Sequence, residues 1–577
     1  MVDVTIRIAG ANGDGVESSG NMLLKTVARN GLHAYGYRGY QSIIRGGHVW
    51  YQVRVGEAKL YSPGNGIDVF VALNQDGIEN QKEHFNRNAI IIYDPSKVNV
   101  DSIKDQEYKL IGIPLLDTAV KISGDPIMRN VVAIGAILKI IGVNIEAFDE
   151  VAKSMFLRKG EVVVSNNVNA ARTGYNYEGV ETFHPIKGDG KTRFTLDGNT
   201  ALSMGSYAAG CKLYAGYPMT PASTILQWFA AHEDKGVLAK QTEDELAAIN
   251  TAIGGSFAGV RSACGTSGGG FSLMVEALGF TAMLEVPLVV FEAQRTGPST
   301  GLPTKTEQAD LLFIMHASQG EFPRIVISPR NIEESFYIAA EAFNLADKYQ
   351  CPVIVMSDLF LSEHIESVDG FDIDSIKIDR GKVVEKNDGE RFKRYLYSED
   401  GVSPRAFPGT PGLEHIAASD EHDEYGDLVS DAFSGIGKYV EVRKKMHGKR
   451  MSKIDSMLKN ENIFVPKIKD EDSDYFFVCF GSTTDQVIEA ADMLKKEGKK
   501  FGVISFNYLM PLDKEKTKRI LTGRKLIDVE CNFTAQLAQV IMTNTGIEIP
   551  NRILRYDGEV ITSAEIVKNA LELVNKF

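Results

Sequence analysis

The chain has 577 residues, enough for several domains with cores of their own. Its net charge of −13, without any basic stripe, argues against nucleic-acid binding, because phosphate contacts need clustered Lys and Arg. No stretch approaches the roughly 18 apolar residues that a membrane helix needs. The N-terminal residues enter a strand pattern without a signal-peptide pattern. We therefore expect a cytoplasmic protein that binds neither nucleic acid nor membrane.

The five cysteines are widely dispersed, and none of them belongs to a CxxC pair. Local assembly of a zinc site or of a ferredoxin-type iron–sulfur cluster is therefore excluded. Most of them have apolar neighbours and are expected to be buried small side chains. They are Cys211, Cys264, Cys351, Cys479 and Cys531.

The first element is an apolar strand over residues 4–8, which runs into a glycine-rich turn over residues 10–15 and then a helix. Such a turn binds anions, because free backbone N–H groups and the helix dipole point at it. The dinucleotide fingerprint would need glycine where Asn12 stands, and no acidic residue ends the next strand-like piece, residues 32–37. NAD binding is therefore disfavoured.

Two Gly-Asp-Gly triplets match the start of the motif that holds Mg²⁺ and the diphosphate of thiamine diphosphate. They begin at Gly13 and Gly188. The motif also needs a downstream asparagine, which is missing at residues 39–41 and near Ala215. Neither triplet is therefore a metal–diphosphate site, and we predict no metal site on this chain.

Two charged segments have alternative interpretations. Residues 42–47 form a compact turn containing Arg45, which is either a hairpin turn with a solvated cation or a cation presented to an anionic ligand. The acidic run over residues 420–424 has a metal-like composition. Consecutive side chains point in different directions, however, so an ion-paired or solvated turn is favoured.

Four turn-rich segments recur at the spacing of βα units in the middle of the chain. They are residues 217–223, the region of Glu245, residues 265–270 and residues 294–304. In an open parallel sheet such loops gather at the carboxyl ends of the strands, where ligands bind. The sequence therefore predicts an α/β fold with a ligand site formed by these loops.

The element pattern predicts four successive regions. Residues 1–190 form one domain, and residues 191–367 form the domain with the four loops. Residues 368–472 are a charged connecting region with one helix over residues 434–459. Residues 473–577 resume a regular alternation of strands and helices and form a compact last domain.

Several of these segments, in this order, resemble motifs of the 2-oxoacid:ferredoxin oxidoreductases. The matching segments are Tyr217-Pro218-Met219-Thr220-Pro221-Ala222-Ser223, Thr266-Ser267-Gly268-Gly269-Gly270-Phe271 (with Gly269 where Pro is usual), Gln294-Arg295, residues 297–304 and Arg45-Gly46-Gly47. The chain is most similar to an α subunit with the γ domain fused to its N-terminus. The resemblance implies a γ domain over residues 1–190 and a doubly wound parallel sheet of the pyrimidine-binding thiamine-diphosphate type over residues 191–367. It further implies a transketolase C-terminal-like domain at the end of the chain.

The resemblance implies CoA-dependent oxidative decarboxylation of a 2-oxoacid, with electrons passed to ferredoxin. We expect 2-oxoglutarate as the substrate, because a γα fusion is most common among 2-oxoglutarate-type members; pyruvate and branched-chain 2-oxoacids stay open. An alternative of another class is a non-catalytic nucleotide- or anion-binding module built on the N-terminal glycine turn.

The resemblance also assigns roles to site residues. Glu245 matches the carboxylate that hydrogen-bonds the aminopyrimidine ring and activates the coenzyme, with Glu243 as the neighbouring alternative. Thr220 and Arg295 match the positions that hold the 2-oxoacid, since an arginine offers paired donors to a carboxylate. Arg45 is expected at a second substrate carboxylate or at coenzyme A. The remaining expected cofactor-binding residues are Tyr217, Pro218, Thr266, Ser267 and Gly268.

The chain lacks both a cysteine array and a metal–diphosphate motif. In the family that it resembles, these lie on a separate β subunit. The resemblance therefore implies a β subunit carrying the [4Fe–4S] cluster and Mg²⁺, a thiamine diphosphate site shared between the two chains, and a dimer of heterodimers. Ferredoxin, coenzyme A and the 2-oxoacid are the other expected partners.

Overall fold

A computed structural model describes residues 2–40, 46–104, 106–434 and 437–574, without the side chains of residues 433 and 434. Contacts group the chain into two compact units. The first unit comprises Met1–Asp197 and His364–Gly370, and the second comprises Gly198–Glu363 and Phe371–Phe577. The boundaries of the four predicted regions stay a prediction.

The strands alternate with helices along most of the chain. They are β1 (Asp3–Asn12), β2 (His33–Gly39), β3 (Gly46–Gly56), β4 (Ile67–Ala72), β5 (Phe85–Tyr93), β6 (Lys109–Gly112), β7 (Phe194–Asp197), β8 (Leu213–Gly216), β9 (Leu238–Gln241), β10 (Ser262–Thr266), β11 (Leu288–Gln294), β12 (Ile325–Ile327), β13 (Pro352–Asp358), β14 (Ile365–Val368), β15 (Lys467–Lys469), β16 (Tyr475–Phe480), β17 (Phe501–Phe506), β18 (Tyr508–Met510), β19 (Leu526–Glu530) and β20 (Arg552–Leu554).

The α-helices lie between these strands and against their faces. They are α1 (Val16–Arg29), α2 (Gln75–Gln81), α3 (Leu115–Ser123), α4 (Arg129–Ile140), α5 (Glu146–Phe156), α6 (Glu161–Tyr175), α7 (Gly198–Ala208), α8 (Ser223–Ala231), α9 (Glu245–Phe257), α10 (Gly268–Leu284), α11 (Leu311–His316), α12 (Ile332–Tyr349), α13 (Leu359–Glu363), α14 (Asp431–Ser434), α15 (Lys438–Asn460), α16 (Thr483–Lys496), α17 (Lys514–Leu521), α18 (Gln536–Thr545) and α19 (Ser563–Val574).

The first unit is built on an eight-stranded mixed sheet in the order β6-β5-β4-β1-β3-β2-β14-β7. Strands β6, β5, β4 and β1 are parallel, and the remaining pairs are antiparallel. Helices α4 and α6 cross closely because both carry glycine at the contact. A Cβ on Gly135 would lie 1.8 Å from the carbonyl oxygen of Ala171, and one on Gly174 would lie 1.8 Å from that of Val132. Helix α4 is buried along most of its length.

The second unit contains a seven-stranded sheet in the order β18-β12-β13-β11-β10-β8-β9, parallel except for β18. Alternate residues of the central strand β11 face two different cores. Leu288 and Val290 pack in the core that contains α9 and α10, whereas Val289 and Phe291 pack in the core that contains α7, α8 and α12. Helices therefore cover both faces of the sheet, and the predicted doubly wound fold is confirmed.

The C-terminal part of the chain forms a five-stranded sheet in the order β15-β17-β16-β19-β20, with β15 antiparallel to the rest. Its neighbour in sequence, β18, instead pairs with β12 and extends the seven-stranded sheet. Within the second unit, the C-terminal region is therefore joined to the seven-stranded sheet by strand pairing as well as by side-chain packing.

The acidic run over residues 420–424 is an ion-paired turn, as the sequence favoured. Glu421 pairs with Arg450 of α15 at 2.9 Å. The ring of His422 lies 3.9 Å from that of Tyr395. Helix α15 begins at Lys438, a few residues later than predicted. Within the described residues, no helix is both long and apolar enough to cross a membrane.

All five cysteines are buried, as predicted. Burial raises the pKa of Cys211, Cys351 and Cys479 to about 12 and that of Cys531 to about 11, and it also raises the pKa of Cys264. These side chains are therefore neutral thiols in the core at physiological pH.

Candidate active site

The predicted gathering of four loops is confirmed at one edge of the seven-stranded sheet. Strands β9, β8, β10 and β11 are adjacent and parallel, so their carboxyl ends lie together. The loop after β8 carries Thr220, α9 begins with Glu245, the turn after β10 carries Ser267, and Arg295 follows β11. Tyr217 and Pro218 are exposed at this edge.

Glu245 is the buried carboxylate of the site. Asp244 caps α9, and its side chain accepts from the amide of Ala247 at 2.7 Å. Glu245 is then the first helical residue and is only 3 % exposed, whereas Glu243 is exposed. Among the described residues its carboxylate accepts one hydrogen bond, from Thr266 Oγ1 at 3.5 Å. Because this hydrogen bond is long, the buried Glu245 carboxylate can still accept hydrogen bonds from a ligand.

Helix α9, which begins with Glu245, starts later than the sequence predicts. We expected a helix over residues 241–256, but Gln241 still belongs to β9 and pairs with Gly216 of β8. Pairing with the neighbouring strand holds the backbone extended up to Gln241. The delay places Glu245, rather than Glu243, at the buried start of α9.

Two of the glycines after β10, Gly268 and Gly270, are required by close packing. A Cβ on Gly270 would lie 2.3 Å from Glu245 Oε1 and 2.1 Å from Thr266 Oγ1. A Cβ on Gly268 would lie 2.4 Å from Asp310 Oδ2. The turn therefore lies directly against two carboxylates. Ser267 Oγ is buried here and has no hydrogen-bond partner among the described residues.

Replacing Gly270 by Ala is expected to reduce turnover at least about tenfold, because the added methyl group displaces the Glu245 carboxylate. The matched control is Gly269→Ala, since a Cβ at Gly269 approaches nothing closer than 4.0 Å. Steady-state kinetics of the two variants, with circular dichroism to check folding, make the comparison. Equal activities would contradict the steric assignment.

Arg295 and Thr220 are brought together by the ends of β11 and β8. Arg295 Nη1 donates to the carbonyl oxygen of Thr220 at 2.8 Å. The guanidinium is partly buried, and burial lowers its pKa from the usual value. No carboxylate among the described residues pairs with it. A partly desolvated arginine that lacks a carboxylate partner suits an anionic ligand.

A buried acid pair behind the glycine turn was missed by sequence analysis. Glu292 on β11 is fully buried, and its oxygens accept no hydrogen bond from the described residues. Burial and the neighbouring Asp310 carboxylate raise the pKa of Glu292 well above its usual value. The signal available in the sequence was an acidic residue within the apolar strand Leu288–Gln294.

Asp310 gives the protein a specific pH dependence. Burial raises the pKa of Asp310 to about 6, although the hydrogen bond from Glu292 lowers it. A carboxyl group with a raised folded-state pKa stabilises the fold at low pH, and this contribution is lost as the pH rises through about 6.

Asp310→Asn should therefore be more stable than the wild type at pH 7.5, by a free energy of unfolding on the order of 2 kcal/mol. The difference should vanish near pH 4. Thermal unfolding across this range measures it, with the exposed Asp374→Asn as the control. A pH-independent difference would show that ionisation of Asp310 is not the cause.

The loop that carries Asp310 is anchored to the C-terminal sheet through Gln308. Gln308 Nε2 donates to Asp358 Oδ2 at 3.0 Å, and Thr483 Oγ1 donates to Gln308 Oε1 at 2.7 Å. The amide of Gln308 also donates to the carbonyl oxygen of Cys531 at 2.7 Å. These bonds fix the backbone on which Asp310 is placed.

The N-terminal glycine turn does not have the features of an anion site. Asp14 Oδ2 accepts from the amide of Ala11 at 2.9 Å, and Asp14 Oδ1 accepts from Arg129 at 2.7 Å. The carboxylate of the chain itself thus lies where an anionic ligand would need donors. Arg45, predicted at a substrate carboxylate or coenzyme A, lies outside the described residues.

Three family models match successive parts of the chain. Residues 5–177 match pyruvate ferredoxin/flavodoxin oxidoreductase, residues 204–441 match pyruvate flavodoxin/ferredoxin oxidoreductase, thiamine diP-bdg, and residues 466–565 match the transketolase C-terminal domain. A 2-oxoacid:ferredoxin oxidoreductase subunit alpha from Sulfolobus sp is 32 % identical, over 98 % of this chain and 96 % of its own length.

The chain belongs to the 2-oxoacid:ferredoxin oxidoreductase family. It is an α subunit with the γ domain fused at the N-terminus, and both the family and the multidomain α/β fold predicted from sequence are confirmed.

Further 2-oxoacid:ferredoxin oxidoreductases cover nearly the whole chain. The 2-oxoglutarate oxidoreductase subunit KorA of Mycobacterium tuberculosis is 30 % identical, over 94 % of this chain and 87 % of its own. A solved 2-oxoglutarate:ferredoxin oxidoreductase from Magnetococcus marinus, with 2-oxoglutarate, coenzyme A and succinyl-CoA bound, superposes with a TM-score of 0.91. That structure is 32 % identical and covers 99 % of both chains.

Proposed function

We propose that this α subunit serves the CoA-dependent oxidative decarboxylation of 2-oxoglutarate to succinyl-CoA and CO₂, or the reverse reaction. Two electrons per turnover pass singly to ferredoxin. The observation that carries the proposal is the buried Glu245 carboxylate, which lies against a glycine turn and accepts only a long hydrogen bond from the described residues. The choice of 2-oxoglutarate is supported by the names of two similar proteins.

The residues at the sheet edge fit the aminopyrimidine part of thiamine diphosphate. Glu245 has acceptor capacity to spare, Ser267 Oγ is buried without a partner among the described residues, and Gly268 and Gly270 leave no side chain in the way. When bound, the coenzyme supplies the carbon nucleophile and the electron sink for decarboxylation. Thr266, Tyr217 and Pro218 complete the proposed cofactor-binding set.

Glu245 would hold a hydrogen bond to a ring nitrogen of the aminopyrimidine. A carboxylate at that position favours the tautomer whose exocyclic nitrogen can accept a proton. Because Asp244 and the first turn of α9 fix the backbone, the Glu245 carboxylate is positioned before the ligand arrives.

Arg295 and Thr220 would bind the 2-oxoacid. The Arg295 guanidinium provides paired N–H donors for the 2-oxoacid carboxylate, and its contact with the Thr220 backbone holds the two residues together. The Thr220 hydroxyl would hydrogen-bond the keto oxygen or the carboxylate. Arg45 is proposed for the second carboxylate of 2-oxoglutarate or for coenzyme A.

A β subunit would complete the site. It would bring Mg²⁺, the diphosphate-binding residues and a [4Fe–4S] cluster, in a cytoplasmic dimer of heterodimers that reduces ferredoxin. The cysteines of this chain support placing the cluster on the β subunit, because each of the five thiols is buried separately in the core and they form no cluster.

The test is substrate-dependent viologen reduction by the complex purified with its partner chain. We expect activity with 2-oxoglutarate and coenzyme A, bound thiamine diphosphate and a brown cluster chromophore. Activity with pyruvate or a branched-chain 2-oxoacid and none with 2-oxoglutarate would overturn the substrate. A colourless monomer that binds nucleotides without turnover would favour the non-catalytic binding module.

A further inference from the structure

A buried cluster of arginines lies away from the candidate active site, between the parallel sheet and the segment that follows residue 370. At its centre is Asp347 of α12, which is 2 % exposed. Three guanidinium groups contact its carboxylate: Arg261 Nε at 2.7 Å, Arg380 Nε at 2.9 Å and Arg405 Nη2 at 2.6 Å. One carboxylate thus has three cationic partners.

The positive excess extends beyond these three arginines. Arg405 is repelled by Arg394, which also lies close to Glu285, the carboxylate that pairs with Lys449 and Lys453. Together six cations surround two carboxylates, in a chain whose net charge is −13. Burial, Lys453 and Arg394 lower the pKa of Lys449 to about 8, although Glu285 raises it. The region is therefore short of negative charge.

A small cavity adjoins the three arginines. Its volume is about 10 Å³, and its walls include Arg261, Arg380, Arg405 and Asp347. Arg405 is only 4 % exposed, yet its Nε and Nη1 atoms have no hydrogen-bond partner among the described residues. The space admits a single small occupant and is too small for sulfate or phosphate.

We propose that this cavity binds one small monovalent anion of the halide class, chloride under ordinary conditions. Uncompensated buried charge and unmade hydrogen bonds are both costly, and a halide relieves both, whereas a water molecule supplies no negative charge. The anion would accept from the free N–H groups of Arg405 and offset its repulsion from Arg380.

The bound anion would attach the segment after residue 370 to the sheet. Arg380 and Arg405 belong to that segment. Arg261 immediately precedes β10, and Asp347 lies in the last turn of α12. Since the anion binds only the assembled cluster, it should stabilise the fold according to its free concentration. The proposal does not depend on the reaction that the enzyme catalyses.

The first test uses the purified complex in gluconate buffer, with chloride added at constant ionic strength. Tm should rise by about 1 to 2 °C for each tenfold increase in chloride above Kd. Crystals soaked in bromide should show an anomalous peak beside Arg405. A cavity without a bromide peak, together with identical Tm values in chloride and gluconate, would show that it holds only water and overturn the proposal.

The second test compares two arginine variants. Arg405→Gln should abolish the chloride-dependent rise in Tm. Arg391→Gln, an exposed arginine paired with Asp427, should retain it. If Arg405→Gln fails to fold, the bromide peak and the chloride titration of the wild type decide the matter alone. A chloride response that is unchanged in folded Arg405→Gln would place the anion elsewhere and refute the assignment.

Discussion

Glu245→Gln is expected to lower kcat by about 100-fold to 10⁴-fold while leaving the fold and partner binding intact. Glutamine preserves the size of the side chain but replaces the carboxylate next to Thr266 by a neutral amide. The amide cannot stabilise the proton-accepting tautomer of the coenzyme. Viologen reduction by the purified complex measures the loss, and copurification of the partner chain with its brown colour verifies assembly.

The control is Glu243→Gln, an exposed carboxylate two residues earlier. It carries the same change in charge and lies just before the same helix, so electrostatic and folding effects are matched. We expect its activity to stay within about twofold of the wild type. If Glu245→Gln keeps most of its activity, or if Glu243→Gln loses as much, Glu245 is not the activating carboxylate.

Arg295→Ala is expected to raise KM for the 2-oxoacid roughly 30-fold or more, a loss of about 2 kcal/mol of charge-assisted hydrogen bonding. Arg295→Lys should recover part of this loss, because it restores the charge without the paired donors. The contact with the Thr220 carbonyl is also removed, so some loss of kcat is expected from misplacement of the loop.

The KM for coenzyme A separates the two explanations. If Arg295 binds the oxoacid, KM for coenzyme A should be nearly unchanged, whereas a collapsed loop would affect both substrates. The exposed Arg391→Ala serves as the control for loss of a surface cation. An unaltered KM for the oxoacid in Arg295→Ala would exclude the substrate role.

The parts of the fold that depend on local sequence were predictable. The apolar strands and the glycine turns at their ends indicate the parallel sheet, and the four loops follow from that sheet. Their convergence needs only the rule that parallel strands end on the same side. The expected role of Arg295 came instead from the resemblance of Gln294-Arg295 to a family motif, because its position after a strand leaves structural and functional roles equally open.

The parts that depend on distant pairing were not predictable. Nothing in the sequence of residues 364–370 indicates that β14 pairs with β2. Likewise, nothing in the sequence of β18 indicates that it pairs with β12 rather than with the other C-terminal strands. The Glu292–Asp310 pair was missed for the same reason, because the two carboxyl groups become neighbours only in the folded chain. Sequence periodicity reports which face of an element is buried but does not identify the partner.

The position of β14 bears on how the chain can be cut for separate expression. Residues 1–190 look like a natural fragment, yet in the folded chain β2 is covered by β14, which pairs through Ile365 and Glu366, and β14 is covered by β7. A fragment ending at residue 190 would expose the backbone edge of β2 to solvent. Such an edge recruits strands from other molecules, so this fragment should aggregate unless a substitute strand is supplied.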